Sequence, residues 1–195
     1  MDHPARLKPL PHDLHDEFKP GFEASRARLG FMPNSMLILQ RRPGILRAFR
    51  ALTQAVAAED SALSPEMRAL VTFAACTVSK VPYVHAHAAH SLVHTGQEKK
   101  LAAFADYAKS PLFSPKERVT IEFARAAASL PNAVSDELLG RMREHWNEEG
   151  IVDVTALVAL YGFFDRWNGS MSTPLENEPR EVAEQHIAGW TPGRH

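Results

Sequence analysis

At 195 residues the chain is long enough to bury a substantial core, and its 45% hydrophobic and 23% charged residues are ordinary for a globular protein. A net charge of −1 excludes the basic character typical of proteins that bind nucleic acid or anionic membranes. The single cysteine, Cys76, excludes an internal disulfide and any C-x-x-C motif. No signal-peptide pattern and no run of about 18 apolar residues is present, so we expect a cytoplasmic protein.

The sequence predicts a series of helices separated by proline, glycine and short polar segments. Residues 1–12 hold three prolines and predict an irregular arm. Apolar residues then recur at helical spacing in most of the segments that follow, and residues 35–39 form a short apolar stretch. The predicted helices cover residues 13–29, 45–58, 65–78, 82–96, 97–107, 115–130, 135–146, 151–164 and 180–187.

Two Ser-Pro dipeptides, Ser64-Pro65 and Ser114-Pro115, predict helix starts. Serine is a favoured N-cap, and proline suits the first helical position because the N–H that it lacks would have no partner there. The residues after the two dipeptides are similar to each other, which predicts two related helical units. The helix at 65–78 is apolar on every side and the helix at 151–164 is almost wholly apolar, so we predict that both are buried.

We predict an all-α fold, because no run of strict apolar–polar alternation and no Asn-Gly or Asp-Gly hairpin pattern occurs. Residues 1–195 are predicted to form one domain, with an irregular arm at 1–12 and a C-terminal tail at 171–195. The helices at 67–78 and 151–164 carry more apolar surface than a monomer of this size readily hides. We therefore expect a homo-oligomer.

The strongest chemical signal is a histidine-rich stretch at residues 81–96, which holds four of the ten histidines. In a helix each residue advances by about 100°, so Tyr83, His87, His90 and His94 share one face and His85 points the other way. An imidazole can take or give a proton near neutral pH and can bind metals. The spacing therefore indicates a face suited to acid/base chemistry or to metal binding.

Several motifs together resemble the carboxymuconolactone decarboxylase/AhpD-like superfamily, and in particular a subgroup related to alkylhydroperoxidases. They are Ser64-Pro-x-x-Arg68, Pro82-Tyr83 followed by histidines, Leu29-Gly-Phe-Met-Pro-Asn34, Ser110-Pro-Leu-Phe-Ser-Pro115, Phe164-Asp-Arg-Trp-Asn168 and Thr173-Pro-Leu-Glu176. The resemblance covers about residues 29–193 and implies an AhpD-like all-α helical domain. It also implies assembly into trimers, hexamers or dimers, with sites near the subunit contacts.

The family's redox motif is missing from this chain. AhpD-like proteins usually carry Glu-x11-Cys-x-x-Cys-x3-His, and those four positions correspond to Ala69, Val81, Val84 and Ala88. A thiol peroxidase needs a thiolate nucleophile, and Cys76 lies in a buried apolar helix without a second cysteine to pair with. Thiol peroxidase activity is therefore disfavoured. The subgroup pattern Cys-x-Tyr-Cys-x-Ala-His-x-Ala-His is matched outside its cysteines, at Tyr83, Ala86, His87, Ala89 and His90.

The decarboxylase branch of the superfamily implies an alternative chemistry that needs no cysteine pair. We therefore predict a cofactor-free acid/base enzyme, of lyase, decarboxylase or isomerase type, that acts on a small organic acid. Tyr83, His87 and His90 are the predicted catalytic residues. Arginine binds carboxylates through two parallel hydrogen bonds. The predicted substrate-binding residues are Arg166, Asp165, Trp167 and Asn168.

Other readings of the same residues remain open. Without its cysteines the protein could be a non-catalytic oligomeric binding protein, or it could be an alkylhydroperoxidase-like antioxidant protein as the family resemblance implies. His90 and His94, or His87 and His90, could chelate one metal ion. All three could not share an ion, because His87 and His94 are about 10 Å apart along a helix that rises ~1.5 Å per residue. We assign no metal and no cofactor, and we predict that Arg166 and Trp167 could equally be helix-cap and packing residues.

Overall fold

The computed structural model describes residues 5–193, which fold into ten α-helices and two short 3₁₀-helices without a β-strand. The predicted all-α fold is confirmed. The 3₁₀-helices are Asp16–Phe18 and Phe104–Asp106. The α-helices are α1 (Lys19–Leu29), α2 (Asn34–Leu39), α3 (Pro43–Val56), α4 (Pro65–Ser79), α5 (Pro82–His94), α6 (Glu98–Ala102), α7 (Pro115–Ala128), α8 (Asp136–Arg143), α9 (Glu148–Met171) and α10 (Asn177–His186).

The two Ser-Pro dipeptides start helices as predicted. The Ser64 hydroxyl accepts the N–H of Met67, and the Ser114 hydroxyl accepts the N–H of Glu117. Glu117 also accepts the N–H of Ser114, which completes a capping box. The two helices started in this way, α4 and α7, pack against each other in the centre of the fold. Residues 69–76 of α4 are all buried, which agrees with the prediction of a helix covered on every side.

Helix α9 is longer than predicted and runs without a break from Glu148 to Met171. The sequence predicted an end near residue 164, where polar residues begin. No proline or glycine cap interrupts the helix there, so residues 165–168 continue it. The side chain of Asn147 caps its start by accepting the N–H of Gly150. Because residues 165–168 are helical, their side chains point in different directions instead of converging on one site.

Both ends of the described part of the chain contact the helical fold. Residues 5–12 contain no helix, and the Arg6 N–H donates to the Met171 carbonyl at 3.2 Å. Within the segment predicted as a tail, α10 packs along α5, and the Pro174 carbonyl accepts a hydrogen bond from the Asn34 side chain at 2.9 Å. These contacts bring residues 172–176 beside the histidine-rich helix. Residues 1–4 and 194–195, which belong to the predicted arm and tail, lie outside the described residues.

Within residues 5–193, no helix combines the length and the apolar character that crossing a membrane requires.

The serine caps give a first prediction. Ser64→Ala and Ser114→Ala should each lower the free energy of unfolding by about 1 kcal/mol, because each leaves a helix N–H without its acceptor. Urea titrations monitored by circular dichroism measure the effect. Ser170→Ala is the control, since Ser170 is exposed and its hydroxyl has no bond within residues 5–193. Equal stability of all three variants and the wild type would contradict the assigned caps.

Candidate functional site

A buried carboxylate, Glu176, lies at the centre of the candidate site. Its Oε1 atom accepts the N–H of Asn34 at 2.5 Å and the phenol of Tyr83 at 3.0 Å. Its Oε2 atom lies 2.7 Å from Nε2 of His87. The residue is 9% exposed, so its charge is stabilised by these bonds and little by water. One carboxylate therefore ties the start of α2 and two side chains of α5 to the segment before α10.

The geometry follows from helical spacing. Tyr83 and His87 are four residues apart on α5, so their side chains lie one above the other, with ring centroids 4.4 Å apart. Glu176 occupies the extended N-cap position of α10, which runs alongside α5. Both rings can thus reach the same carboxylate, one at each oxygen. The prediction that Tyr83 and His87 share a face is confirmed.

The hydrogen bonds indicate where the protons lie. Burial raises the pKa of Tyr83 well above its usual value, with the charge of Glu176 adding to the effect, so the phenol keeps its proton and donates it. An ionised carboxylate only accepts, so Nε2 of His87 carries a hydrogen that it donates to Glu176. The other ring nitrogen of His87, Nδ1, makes no hydrogen bond within residues 5–193. It is therefore available to a ligand.

His90 lies one turn further along α5. Burial lowers the pKa of its imidazole, and the neighbouring His87 and His94 lower it further, so His90 is neutral at physiological pH. The ring of Phe31 meets His87 and His90 edge to face, at 5.3 and 5.4 Å between centroids. His94 is exposed and lines no part of the cavity described next. Phe31 thus fixes two imidazoles side by side.

Tyr83, His87, His90 and Phe31 line a cavity of about 670 Å³ between α1, α3, α5 and α9, which we call the large cavity. Its volume lies within the ~300–1,000 Å³ range of small-molecule sites. Aromatic side chains form much of its wall. They are Phe22, Phe31, Phe49, Phe164, Tyr83 and Tyr161. Charged and polar side chains are set among these aromatic groups, as in sites that orient a small ligand.

Two arginines, Arg28 and Arg50, supply positive charge to the large cavity. The Arg50 guanidinium lies over the ring of Phe22, 6.0 Å from its centroid. It also lies against Gly21, where a Cβ atom would be 1.5 Å from Nη2 of Arg50. The guanidinium can lie at this position because Gly21 has no side chain. Sequence reasoning did not select Arg28, Arg50 or Glu176 as site residues, although Glu176 ends one of the recognised motifs.

The side chains of the four residues predicted to bind substrate do not meet at one site in the structure. Arg166 is exposed, and its Nη1 donates to the Gly162 carbonyl of its own helix at 3.0 Å. Trp167 stacks on Phe163, with centroids 6.1 Å apart. Of the four, only Asn168 lines the large cavity, and its Nδ2 donates to the Phe164 carbonyl at 2.9 Å.

The fourth of these residues, Asp165, is buried in the core and does not line the large cavity. Burial raises its pKa to about 6, while the nearby Ser79 hydroxyl and the charge of Arg166 act in the opposite direction. The neighbouring Cys76 is fully buried, and burial raises the pKa of its thiol, with the charge of Asp165 adding to the effect. Cys76 is therefore inert packing, as predicted from its apolar helix.

His85 points away from Tyr83 and His87, and it packs on Phe73 with centroids 5.1 Å apart. Burial lowers its pKa to about 4, so it stays neutral. Among residues 5–193, no three His, Cys, Asp or Glu side chains are grouped in a way that could hold a metal ion.

Comparisons with known proteins agree with this fold. Residues 43–126 match the carboxymuconolactone decarboxylase family. The uncharacterized protein YnjA of Escherichia coli strain K12 is 39% identical over 82 residues, which are 42% of this chain and 45% of that protein. The chain thus matches less than half the length of this relative. Crystal structures of the debrominase Bmp8, one of them a cysteine-to-alanine variant in complex with 2,3,4-tribromopyrrole, superpose with a TM-score of 0.84 at 25% identity.

The Bmp8 match covers 92% of this chain and 96% of that one. An uncharacterized peroxidase-related protein from Ralstonia eutropha JMP134, described as an alkylhydroperoxidase AhpD core, matches with a TM-score of 0.75 and 25% identity. That match covers 91% of this chain and 95% of the other. The similarity to these structures therefore extends over nearly the whole helical fold.

Asp165 gives a prediction on stability. Its carboxyl has a folded pKa of about 6 against an ordinary value of 3.8, so folding favours the protonated form. The resulting cost is absent below about pH 4, grows between pH 4 and 6, and reaches about 2–3 kcal/mol above pH 6. Asp165→Asn removes the charge, so the variant should be more stable than wild type at pH 8 but not at pH 4.

Thermal unfolding at the two pH values measures this difference. Asp106→Asn, which removes an exposed carboxylate, is the control and should not change stability in a pH-dependent way. An Asp165→Asn variant that is less stable than wild type at pH 8 would show that the charged form is the favoured one.

Proposed function

Because the chain belongs to the carboxymuconolactone decarboxylase/AhpD-like superfamily and lacks its C-x-x-C cysteine pair, we propose that it is a cofactor-free acid/base enzyme acting on a small organic acid. The reaction would be of lyase, decarboxylase or isomerase type. The observation that carries the proposal is the 2.7 Å contact between His87 and Glu176 at the wall of the large cavity. A histidine oriented by a carboxylate is a common arrangement for proton transfer.

His87 is the proposed proton carrier. Glu176 holds the Nε2–H, so the lone pair of Nδ1 is free to take a proton from a bound substrate. The imidazolium formed in that step lies 2.7 Å from the Glu176 carboxylate, which stabilises its charge. The proton can then return to another atom of the same substrate. General acid/base catalysis of this kind typically accelerates a reaction by ~10²–10⁴-fold.

Tyr83 is proposed to act by positioning Glu176. Its phenol remains protonated and donates to Oε1 of the same carboxylate that holds His87 at Oε2. This bond keeps the carboxylate from rotating and so fixes the ring of His87. His90, neutral and beside His87, is the proposed partner for a polar atom of the substrate. The site therefore contains one proton carrier, two positioning groups and one further hydrogen-bonding imidazole.

The wall of the large cavity indicates a class of substrate. Arg28 and Arg50 would bind a carboxylate, because a guanidinium matches its geometry with two parallel hydrogen bonds. The aromatic wall would cover a compact unsaturated or ring-shaped body. The relative Bmp8, which was crystallised with 2,3,4-tribromopyrrole, supports a small planar ligand in this fold. We therefore propose carboxylated lactones and related unsaturated acids as substrates.

The antioxidant alternative has less support from the residues. The positions of the family's cysteines hold valines, Val81 and Val84, and Cys76 is fully buried with a raised pKa. A sulfenic acid at Cys76 would have no second thiol with which to condense. A non-catalytic binding protein is the second candidate, and the volume and aromatic wall of the large cavity support it equally well. The acid/base enzyme and the binding protein differ in whether a bound ligand is converted to product.

We also propose that the protein works in the cytoplasm as a homo-oligomer. Large apolar side chains on α3 and α9, namely Ile45, Leu52, Val152 and Phe163, are 39–64% exposed. Contact with a second copy would remove them from water. Light scattering at micromolar concentration should give a mass above that of a monomer, and a monomeric mass would contradict the proposal.

The acid/base proposal predicts that two histidines of the same helix, His87 and His94, contribute very differently to kcat. A screen of small carboxylated lactones and keto acids first identifies a substrate. His87→Gln should then lower kcat about 10²-fold or more, and Glu176→Gln should lower it as well, because the ring loses its orientation. His94→Gln is the matched control and should retain kcat, since His94 is exposed and lies outside the large cavity.

Two outcomes would count against the acid/base enzyme. If His94→Gln loses as much activity as His87→Gln, the assignment of the cavity face of α5 is wrong. If ligands bind and none is turned over by the wild type, the binding-protein alternative is correct.

The proposed role of Arg50 predicts that adding one methyl group at Gly21 weakens the binding of a carboxylate ligand. Gly21→Ala places a Cβ atom where the Arg50 guanidinium lies, so the guanidinium must move. We expect about tenfold weaker binding of a carboxylate ligand, corresponding to the loss of one charged hydrogen bond. The methyl ester of the same ligand should bind equally to variant and wild type.

Gly140→Ala is the control for this substitution, because Gly140 is also helical and a Cβ atom there meets nothing within 4 Å. Both variants should fold at least as stably as wild type, since alanine favours helix. Unchanged carboxylate affinity in Gly21→Ala would show that Arg50 does not bind the ligand.

A further inference from the structure

A short segment, residues 31–35, lies beside the rings of the candidate site. The ring of Phe31 meets the imidazole of His87 edge to face, with 5.3 Å between centroids. Oγ of Ser35 lies 3.4 Å from the phenol oxygen of Tyr83. Phe31 and Ser35 are both buried, so neither side chain can move far without disturbing the close-packed core. One side of the site is therefore formed by tightly packed residues.

Between these two residues, Asn34 makes two hydrogen bonds to the segment that carries the buried carboxylate. Its backbone N–H donates to Oε1 of Glu176 at 2.5 Å. Its side-chain Nδ2 donates to the carbonyl of Pro174 at 2.9 Å. The ring of Pro33 fixes the preceding φ at −62°, which limits the freedom of the backbone at Asn34. A single residue thus holds both the backbone at position 174 and the carboxylate at position 176.

The connection that carries Glu176 has few other supports. Residues 172–176 join α9 to α10 and form no helix. Within residues 5–193 and outside these two helices, no residue other than Asn34 makes a hydrogen bond to the backbone of this connection. Pro174 has no N–H to donate, so its carbonyl is its one backbone hydrogen-bonding group. Without the Asn34 side chain, the backbone of the connection would be hydrogen-bonded only to its flanking helices.

The bond to Pro174 needs the amide group of Asn34, because a side chain of the same shape without a donor cannot make it. In Asn34→Asp the shape is nearly unchanged, but an acceptor would face the Pro174 carbonyl, which is itself an acceptor. The new charge would also lie close to the Glu176 carboxylate, and like charges repel. The chemistry of the side chain can therefore be tested separately from its size.

We propose that Asn34 is a positioning residue of the candidate site, and that its side-chain amide sets the Glu176 carboxylate against Nε2 of His87. The bond to Pro174 fixes the connection before α10, from which the carboxylate reaches the imidazole at 2.7 Å. Asn34 does not line the large cavity, so it acts on a bound ligand through Glu176. This inference rests on the proposed function, in which Glu176 orients His87 for proton transfer.

Hydrogen exchange of the Nε2–H of His87, measured by nitrogen-15 NMR, tests the proposal without a substrate. In Asn34→Ala this proton should exchange with water about tenfold faster than in the wild type, because the carboxylate that holds it is less well fixed. In Asn34→Asp it should exchange at least as fast as in Asn34→Ala. Asn34→Gln keeps an amide donor on a longer side chain, and should lie closer to the wild type than Asn34→Asp does.

Asn132→Ala is the matched control, because Asn132 is exposed and its Nδ2 also donates to a backbone carbonyl, that of Ala127 at 3.3 Å. It should leave the exchange at His87 unchanged. Unchanged exchange in Asn34→Ala, or wild-type exchange in Asn34→Asp, would overturn the proposal. Should Asn34→Ala not fold, Asn34→Gln and Asn34→Asp decide, and exchange closer to the wild type in Asn34→Asp would overturn it.

Turnover separates this inference from the proposed function. With a substrate from the screen, Asn34→Ala should lower kcat about tenfold and leave KM within about twofold, because a misplaced carboxylate affects proton transfer more than binding. If no compound is turned over, the acid/base proposal fails and the exchange measurement still decides the role of Asn34. If His87→Gln loses activity while Asn34→Ala keeps the wild-type kcat and exchange rate, this inference alone fails.

Discussion

The bonding of one buried carboxylate, Glu176, constrains the candidate site. A charge with 9% exposure is costly unless each oxygen is hydrogen-bonded, and here the backbone of Asn34, the phenol of Tyr83 and the imidazole of His87 provide those bonds. The three partners come from two helices that are far from Glu176 in sequence. The segment before α10 must therefore lie against α5.

The same constraint accounts for a histidine–carboxylate pair in a chain that lacks the redox cysteines of the AhpD-like motif. Val81 and Val84 leave no thiolate on α5. The carboxylate that the family motif would place on α4 is Ala69, which is buried in the core. Glu176, which lies 89 residues after His87 in the sequence, places a carboxylate next to this histidine. The histidine is thereby oriented in a cavity whose remaining charges, Arg28 and Arg50, are positive.

Local sequence signals predicted the helices and one face of the site, and they could not predict the long-range contacts. Ser64 and Ser114 identified two helix starts because an N-cap is a local structure. The spacing of Tyr83 and His87 placed them on one face because a helix has a fixed period. Glu176 lies 89 residues from His87, so no local pattern relates them. Arg166 is exposed because α9 continues past the polar residues that suggested its end.

Nitrogen-15 NMR of the histidine rings tests the central claim, that Glu176 fixes the Nε2–H form of His87. The His87 signal should show hydrogen on Nε2 and a slowly exchanging proton shifted downfield by the carboxylate. In Glu176→Gln that proton should exchange faster and the two nitrogen shifts should approach those of exposed His94. A His87 spectrum that equals that of His94 in the wild type, and does not change in Glu176→Gln, would contradict the claim.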